Sequence, residues 1–446
     1  MTFDPALDEA TLSRLWGGQR FPASALVTRQ GAALRVLHPG RRGRGAGPDF
    51  RDALIATPGG ALLRGDVELH VRAADFRAHG HQRDRRYDGV VLHVVFEDGG
   101  EDETALANGR CVPVVPLAPW ARRRAQELAA WLAGPERWRE PCHDAVARLG
   151  ADGVLATLEE LGDGRFRERE ATLLEESREH GPGEALYRAL LAGLSYGGDR
   201  AALAAVAGTL PWRELAGRLA SAGGERIALA EALLLGAAGL LVSQRSAEPR
   251  HPHEHGLELR WLSSGLAGGS HWAPAGGVPP RPANHPARRL AGLARLLARH
   301  GAVLEGREPP DALLLEPARE LIEAWSAPAG GYWRAILAPG LASGGRRIQG
   351  CALIGRGRAI ELLVNAVLPW VAAVAGLRGD DVSAQRARAA FAALPRPGRY
   401  GVLAFLEANL RADGRSLRID ARRQQGLLAL YKTECTQGGC GRCALS

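Results

Sequence analysis

The chain has no Walker A loop, no GxGxxG following a strand and no GxSxG elbow, so nucleotide hydrolysis, dinucleotide binding and α/β-hydrolase chemistry have nothing to rest on. It also lacks an N-terminal segment that combines a basic start, an apolar run and a small-residue cleavage site. No run of about twenty apolar residues is evident to span a bilayer. A cytoplasmic protein without a membrane partner is expected. Cysteine is scarce, with 6 in 446 residues, too few for a secreted disulfide scaffold. Lysine is scarcer still: Lys432 is the only one, so the net charge of +8 rests on arginine. Arginine's planar fork suits bidentate phosphate contacts and a polyanionic partner, while a GC-rich coding bias leaves the same trace.

What is present reads as an ordinary globular composition, 46% hydrophobic and 24% charged, long enough for two or three domains. Leu7–Trp16 has apolar residues at helical spacing. Ala33–His38, Phe50–Thr57, Ala61–Val71 and Val90–Phe96 read as strands, the middle two joined by the turn Pro58-Gly59-Gly60. Ala74–Tyr87 is polar and reads as a helix, so the order is helix, strand, strand, strand, helix, strand. After Pro141, Leu- and Ala-rich segments recur with helical periodicity, and Ser246–Pro282 reads as a long loop. The expected class is α+β. A domain over residues 1–140 precedes a mostly helical region over 141–430 and a cysteine-rich tail over 431–446.

The strongest local constellation is Gly47-Pro48-Asp49-Phe50 followed by Gly65-Asp66-Val67-Glu68-Leu69-His70. Asp49 opens one strand of the hairpin and Glu68 lies on its partner, so the two carboxylates can converge on one side of a sheet. With the Leu69 carbonyl, they form the oxygen set that a hard cation, Mg²⁺ or Mn²⁺, requires. Glu68 and His70 share a face on a period of two, and His70 can orient or deprotonate water. Pro48-Asp49, Glu68-Leu69-His70 and the order of elements resemble the PD-(D/E)xK nuclease superfamily, with an αβββαβ core and His70 where that superfamily usually has lysine. The resemblance implies cleavage of DNA or RNA, with Glu9 on the first helix as an assisting glutamate.

Downstream, Asp75–Tyr87 carries His79, His81, Arg83 and neighbouring arginines that can meet a phosphate backbone, with Tyr87 as a stacking face. His79 and His81 can also reach the same metal, whereas His93 in its apolar strand reads as a hydrogen-bonded core residue. At the C-terminus, Cys435, Cys440 and Cys443 have C-x4-C-x2-C spacing that can wrap zinc or an iron–sulfur cluster. Cys142 is the first choice for a fourth ligand, with His143, Cys111 and Cys351 as alternatives. The resemblance points the same way, since some nucleases of that superfamily hold a 4Fe–4S cluster by one distant cysteine and three near the C-terminus.

His251-Pro252-His253-Glu254-His255 reads as a solvated tract in a loop, and Arg281, Asn284, Arg288 and Arg289 as a basic helix start facing phosphate or water. Taken with GPDF, GDVELH, VVLHVVFE, Glu231–Leu240, RPANHPARRLA and the final cysteines, the chain is similar to the bacterial family catalogued as domain of unknown function 2851. That similarity covers essentially the full length and brings no activity with it. A metal-dependent nuclease is therefore the expected function, and a catalytically inactive nucleic-acid-binding or assembly protein the competing one.

Overall fold

The computed structural model describes residues 8–445 apart from 20–25, 44, 45, 98, 125, 127, 130–140, 196–198, 246–248, 267–283, 343–350, 413 and 438–442. Two compact units emerge. The first joins residues 1–157 to 402–417 and 427–446, and the second comprises 158–401 with 418–426. The class is mixed α+β, with a sheet in the first unit and a mostly helical second unit.

In the first unit, α1 (Glu9–Gly18) begins at Asp8, whose carboxylate accepts the Thr11 N–H at 2.8 Å. β1 (Arg35–His38), β2 (Arg41–Arg42), β3 (Phe50–Ala56), β4 (Leu62–His70), β5 (Val90–Val95), β6 (Glu103–Ala105) and β7 (Cys111–Pro116) form one seven-stranded sheet. Its order is β1-β3-β4-β5-β7-β6, with β2 also paired to β3; β4, β5 and β7 are parallel and the other pairs antiparallel. The expected succession of helix and strands is present, extended by β2, β6 and β7. Gly60, at φ 79°, closes the β3–β4 hairpin where Thr57 N–H meets Ala61 O at 2.9 Å.

The period of two along β4 decides which residues reach the site. Val67 and Leu69 join Leu12, Leu15 and Trp16 of α1 in the core on one face, with Phe50, Leu92 and Val94. Glu68 and His70 point to the other face, where Phe76 of α2 (Asp75–Ala78) and Tyr87 pack with Val90. The segment expected as one helix over 74–87 is α2 followed by two 3₁₀ turns, His81–Arg83 and Arg85–Tyr87. Gly80, in the left-handed region at φ 77°, ends the helix. β3 carries a register shift between Phe50 and Ala53, with Asp52 at φ 58° and its N–H on Asp66 Oδ1 at 3.1 Å.

The C-terminal segment belongs to this same unit. Arg41 is held over the rings of Phe405 and Tyr431 at 4.7 and 4.6 Å and pairs with Asp52. The turn Cys435–Gln437 packs against β3, and Arg148 donates to Leu445 O at 2.9 Å.

The second unit is a helical bundle around Trp325, Trp333 and Trp370. Two expectations are corrected here. Within the expected loop 246–282, Pro252–Ser263 is a helix: His251 caps it, Pro252 takes the first turn and Glu254 closes a capping box. The helical stretch Arg356–Leu377 is long and apolar enough to cross a membrane, contrary to the reading that no run qualifies. Its apolar window is 78% buried among the bundle's own side chains, as expected of a central core helix.

Candidate metal centre

Glu68 and His70 end β4 on the α2 face, and β5 lies parallel beside it with His93 opposite Glu68 in register. α2 carries His79 at its C-cap, and the reversal at Gly80 places His81 at the start of the next turn. Three imidazoles thus converge: ligand nitrogens of His70, His79 and His81 all lie within 4.8 Å of one another. His70 Nε2 is 3.2 Å from His79 Nδ1. Glu68 Oε1 is 3.5 Å from His81 Nε2 and 3.8 Å from His70 Nε2. Two nitrogens bound to one tetrahedral ion at about 2.0–2.1 Å sit roughly 3.3–3.4 Å apart, so the His70–His79 spacing already suits a shared ion.

Behind the cluster runs a polar chain. His70 Nδ1 meets His93 Nε2 at 3.0 Å, and His93 Nδ1 meets Thr104 Oγ1 at 2.7 Å. With His70 donating to His93 and His93 donating to Thr104, His70 Nε2 keeps its lone pair for the site, the usual arrangement behind a ligating histidine. Below it, Tyr87 stacks on His81 at 4.0 Å and Phe76 meets His81 edge-on at 5.4 Å, fixing that ring.

The electrostatics follow from the packing. Burial, with the neighbouring His93, His81 and His79, pushes His70 down to about 2. Burial pushes His93 down to about 4 and lowers His81 as well, the latter helped by His79. These imidazoles are neutral near pH 7, the form that ligates metals. Glu68 is pushed up to about 9, by burial first and then by Asp49, although it accepts the Asp49 N–H at 3.1 Å. Asp49 rises to about 6 through burial, against the Leu69 N–H that its Oδ2 accepts at 3.0 Å. Glu9 stands exposed in the first turn of α1, and its charge raises both carboxyls.

Arg83 is exposed on its 3₁₀ turn. Tyr87 is buried beneath His81, so its face is not open to a base, a correction that follows from the His81 stack. Cys142 and Cys435 are buried and Cys443 half-buried, all in the first unit, while Cys440 lies outside the described residues. Asn409 Nδ2 is 3.7 Å from Cys142 Sγ.

Two further readings are overturned. His251–His255 is a helix start and not a loop, and only part of it is solvated: His251 and His255 are exposed, whereas Glu254 is buried and His253 Nε2 meets Glu231 Oε1 at 2.6 Å. Arg288 and Arg289 face neither water nor phosphate. Arg288 is buried and donates to the carbonyls of Trp333, Ile336 and Cys351 at 2.7, 2.9 and 2.9 Å. Arg289 binds Asp199 and the Leu194 carbonyl, while Arg281 lies outside the described residues.

His93 is the hydrogen-bonded core residue expected, but its partner is His70, and the Thr104 that completes the chain carried no sequence signal. The register of two parallel strands was the clue: His93 on β5 stands opposite Glu68, two residues before His70 on the same face of β4.

No curated protein and no solved structure matches the chain. Residues 9–396 match the family described as "Protein of unknown function (DUF2851)". That match includes α1, the whole sheet, the histidine cluster and most of the helical unit, and the chain therefore belongs to the DUF2851 family.

Proposed function

We propose that the first unit is a metal-dependent hydrolase of phosphodiester bonds in nucleic acid. The observation that carries this reading is the convergence of His70, His79 and His81 with Glu68 Oε1, which lies 3.5 Å from His81 Nε2 and 3.8 Å from His70 Nε2. Three imidazoles and a carboxylate favour Zn²⁺ or Mn²⁺; Mg²⁺, which prefers oxygen ligands and retained water, suits this donor set poorly. A bound divalent ion would acidify water and offset charge building on the phosphate. The chain's own residues do the rest. His93 and Thr104 fix the tautomer of His70. Asp49, with its carboxyl near 6, is poised beside Glu68 to take a proton from the attacking water. Exposed Arg77, Arg83 and Arg85, on the segment that carries His79 and His81, hold the phosphate backbone.

Support for phosphodiester chemistry comes from the hairpin that presents Pro48-Asp49 and Glu68-Leu69-His70, and from the arginines around it. The cysteines are proposed to hold zinc or a 4Fe–4S cluster through Cys142, Cys435, Cys440 and Cys443. The Arg148–Leu445 bond ties the chain just after Cys142 to the chain just after Cys443. An absorption spectrum of anaerobically purified protein separates the two: a broad visible band means iron–sulfur, and its absence with stoichiometric zinc means a zinc site.

The test of the activity is cleavage of labelled single- and double-stranded DNA and RNA with Mn²⁺ or Zn²⁺. Wild type cleaves at least one of these substrates, and Asp49→Ala and Glu68→Ala do not. Absence of cleavage by wild type, with metal-independent binding retained, identifies instead a nucleic-acid-binding protein on an inactive core.

A further inference from the structure

The helical unit carries a surface cavity of about 520 Å³ walled by Arg295, Arg299 and Arg334, with Ile227, Ala298 and Ala329 forming an apolar side. This volume falls in the range of small-ligand sites. Arg295 and Arg299 stand one turn apart on the helix Pro286–Leu304, where like charges repel. Each is held by a single nitrogen. Arg295 Nη1 meets Glu231 Oε2 at 3.1 Å and Ala291 O at 2.6 Å. Arg299 Nη1 meets Ser326 O at 3.2 Å and also the Ala324 carbonyl. Among the described residues, Nε and Nη2 of both take no protein partner, and exposed Arg334 forms no ion pair. Among the described residues, no acidic side chain lines the cavity.

This is an arrangement of oriented guanidinium donors beside an apolar wall. Anchoring one nitrogen of an arginine fixes the plane of the rest, so little rotamer freedom is lost when an anion docks. Glu231 offsets the charge of Arg295 from behind, which leaves two positive charges uncompensated, the complement of a phosphate monoester. We propose that the cavity binds a small phosphomonoester, its phosphate on the three arginines and its apolar body against Ile227, Ala298 and Ala329. The site is separate from the histidine cluster and stands or falls without it.

The experiment is calorimetric titration of the full chain with phenyl phosphate at low salt in the presence of EDTA, with phenol and inorganic phosphate as probes that each keep one half of the ligand. One phenyl phosphate binds per chain, phosphate binds more weakly and phenol does not bind. Arg334→Ala and Arg299→Ala each weaken binding about tenfold or more. His70→Ala leaves it unchanged, which assigns binding to this unit. Arg334 is exposed and forms no ion pair, so its variant keeps the wild-type melting temperature and is the decisive one. Failure of phenyl phosphate to bind wild type, or equal binding by the Arg299→Ala/Arg334→Ala double variant, overturns the proposal. Phosphate binding as tightly as phenyl phosphate overturns the role of the apolar wall.

Discussion

Glu68 in the sheet unit and Glu254 in the helical unit each leave only 4% of their surface exposed, yet their carboxyls move in opposite directions, Glu68 being the deeper of the two. Glu254 is held down to about 2: burial would raise it, but the Tyr332 hydroxyl and the backbone N–H groups of Arg250, Gly340 and His251 outweigh that. Glu68 accepts one backbone N–H and is pushed up to about 9. The same contrast runs through their surroundings. Glu231 meets Trp333 Nε1 at 2.8 Å, His253 Nε2 at 2.6 Å and Arg295 Nη1 at 3.1 Å, and Arg288 meets three carbonyls. Around Glu68 stand His70, His79 and His81, whose ligand nitrogens all lie within 4.8 Å of one another. Burial alone therefore does not mark a functional group. A network with a donor for every acceptor is structural, whereas acceptors gathered round one point are complementary to a cation.

Breaking the closed network has the largest expected effect. Glu231→Ala strands the Trp333 indole and removes the counter-charge of Arg295, and is expected to lower stability by about 3–5 kcal/mol in urea unfolding. A loss within about 0.5 kcal/mol, the range of ordinary surface changes, would show that the network carries no structural weight.

Breaking the chain behind the histidines sharpens the other side. His93→Leu removes the acceptor for His70 Nδ1 and is expected to weaken Zn²⁺ affinity by roughly 10–100-fold, with Thr104→Val moving it the same way by less. Competition titration against a chromophoric chelator reads both, and unchanged affinity would remove His93 from the site.

The pH dependence follows from Glu68. Its carboxyl holds a proton more tightly folded than unfolded, so the stability it contributes is fully present below its unfolded value of 4.5 and is lost as pH rises toward about 9. His70 acts at the opposite end: held neutral, it withdraws stability only as pH falls below 6.5 toward about 2. In EDTA, wild type is expected to lose on the order of 1 kcal/mol between about pH 7 and 9, and Glu68→Gln to lose little over that range. Parallel melting curves would refute the assignment.

The smallest effect is at the rim. Arg83→Ala is expected to change stability by less than about 0.5 kcal/mol and to reduce the salt dependence of nucleic-acid binding by about one counterion. An unchanged salt slope removes Arg83 from the interface.

The sheet was legible because its signals are local. Alternation along Leu62–His70, the Pro-Gly-Gly turn and the apolar Val90–Val95 run each specify a strand without help from the rest of the chain. The helix Pro252–Ser263 was legible in principle, since His251 and Pro252 are a cap and a first-turn proline, but Gly, Pro and His nearby have the composition of a loop. Arg288 could not be read. Its charge is satisfied by carbonyls 45 to 63 residues away, and nothing local distinguishes it from a solvated arginine. At the metal centre, Asp49, Glu68 and His70 stood out by spacing and His79 and His81 by proximity. The register that places His93 behind His70 depends on a parallel pairing across the α2 crossover, which no short motif records.

His70, His79, His81 and Glu68 are proposed to share one metal ion. The most direct test is the Zn²⁺ and Mn²⁺ content of the protein in a Cys142→Ser/Cys435→Ser/Cys440→Ser/Cys443→Ser background, which removes the four proposed thiolates as competing ligands. One ion per chain is predicted there, falling to near zero in His70→Ala and His81→Ala variants that keep the wild-type circular dichroism. Unaltered metal content in the folded histidine variants, or no metal bound at all by the parent, would contradict it.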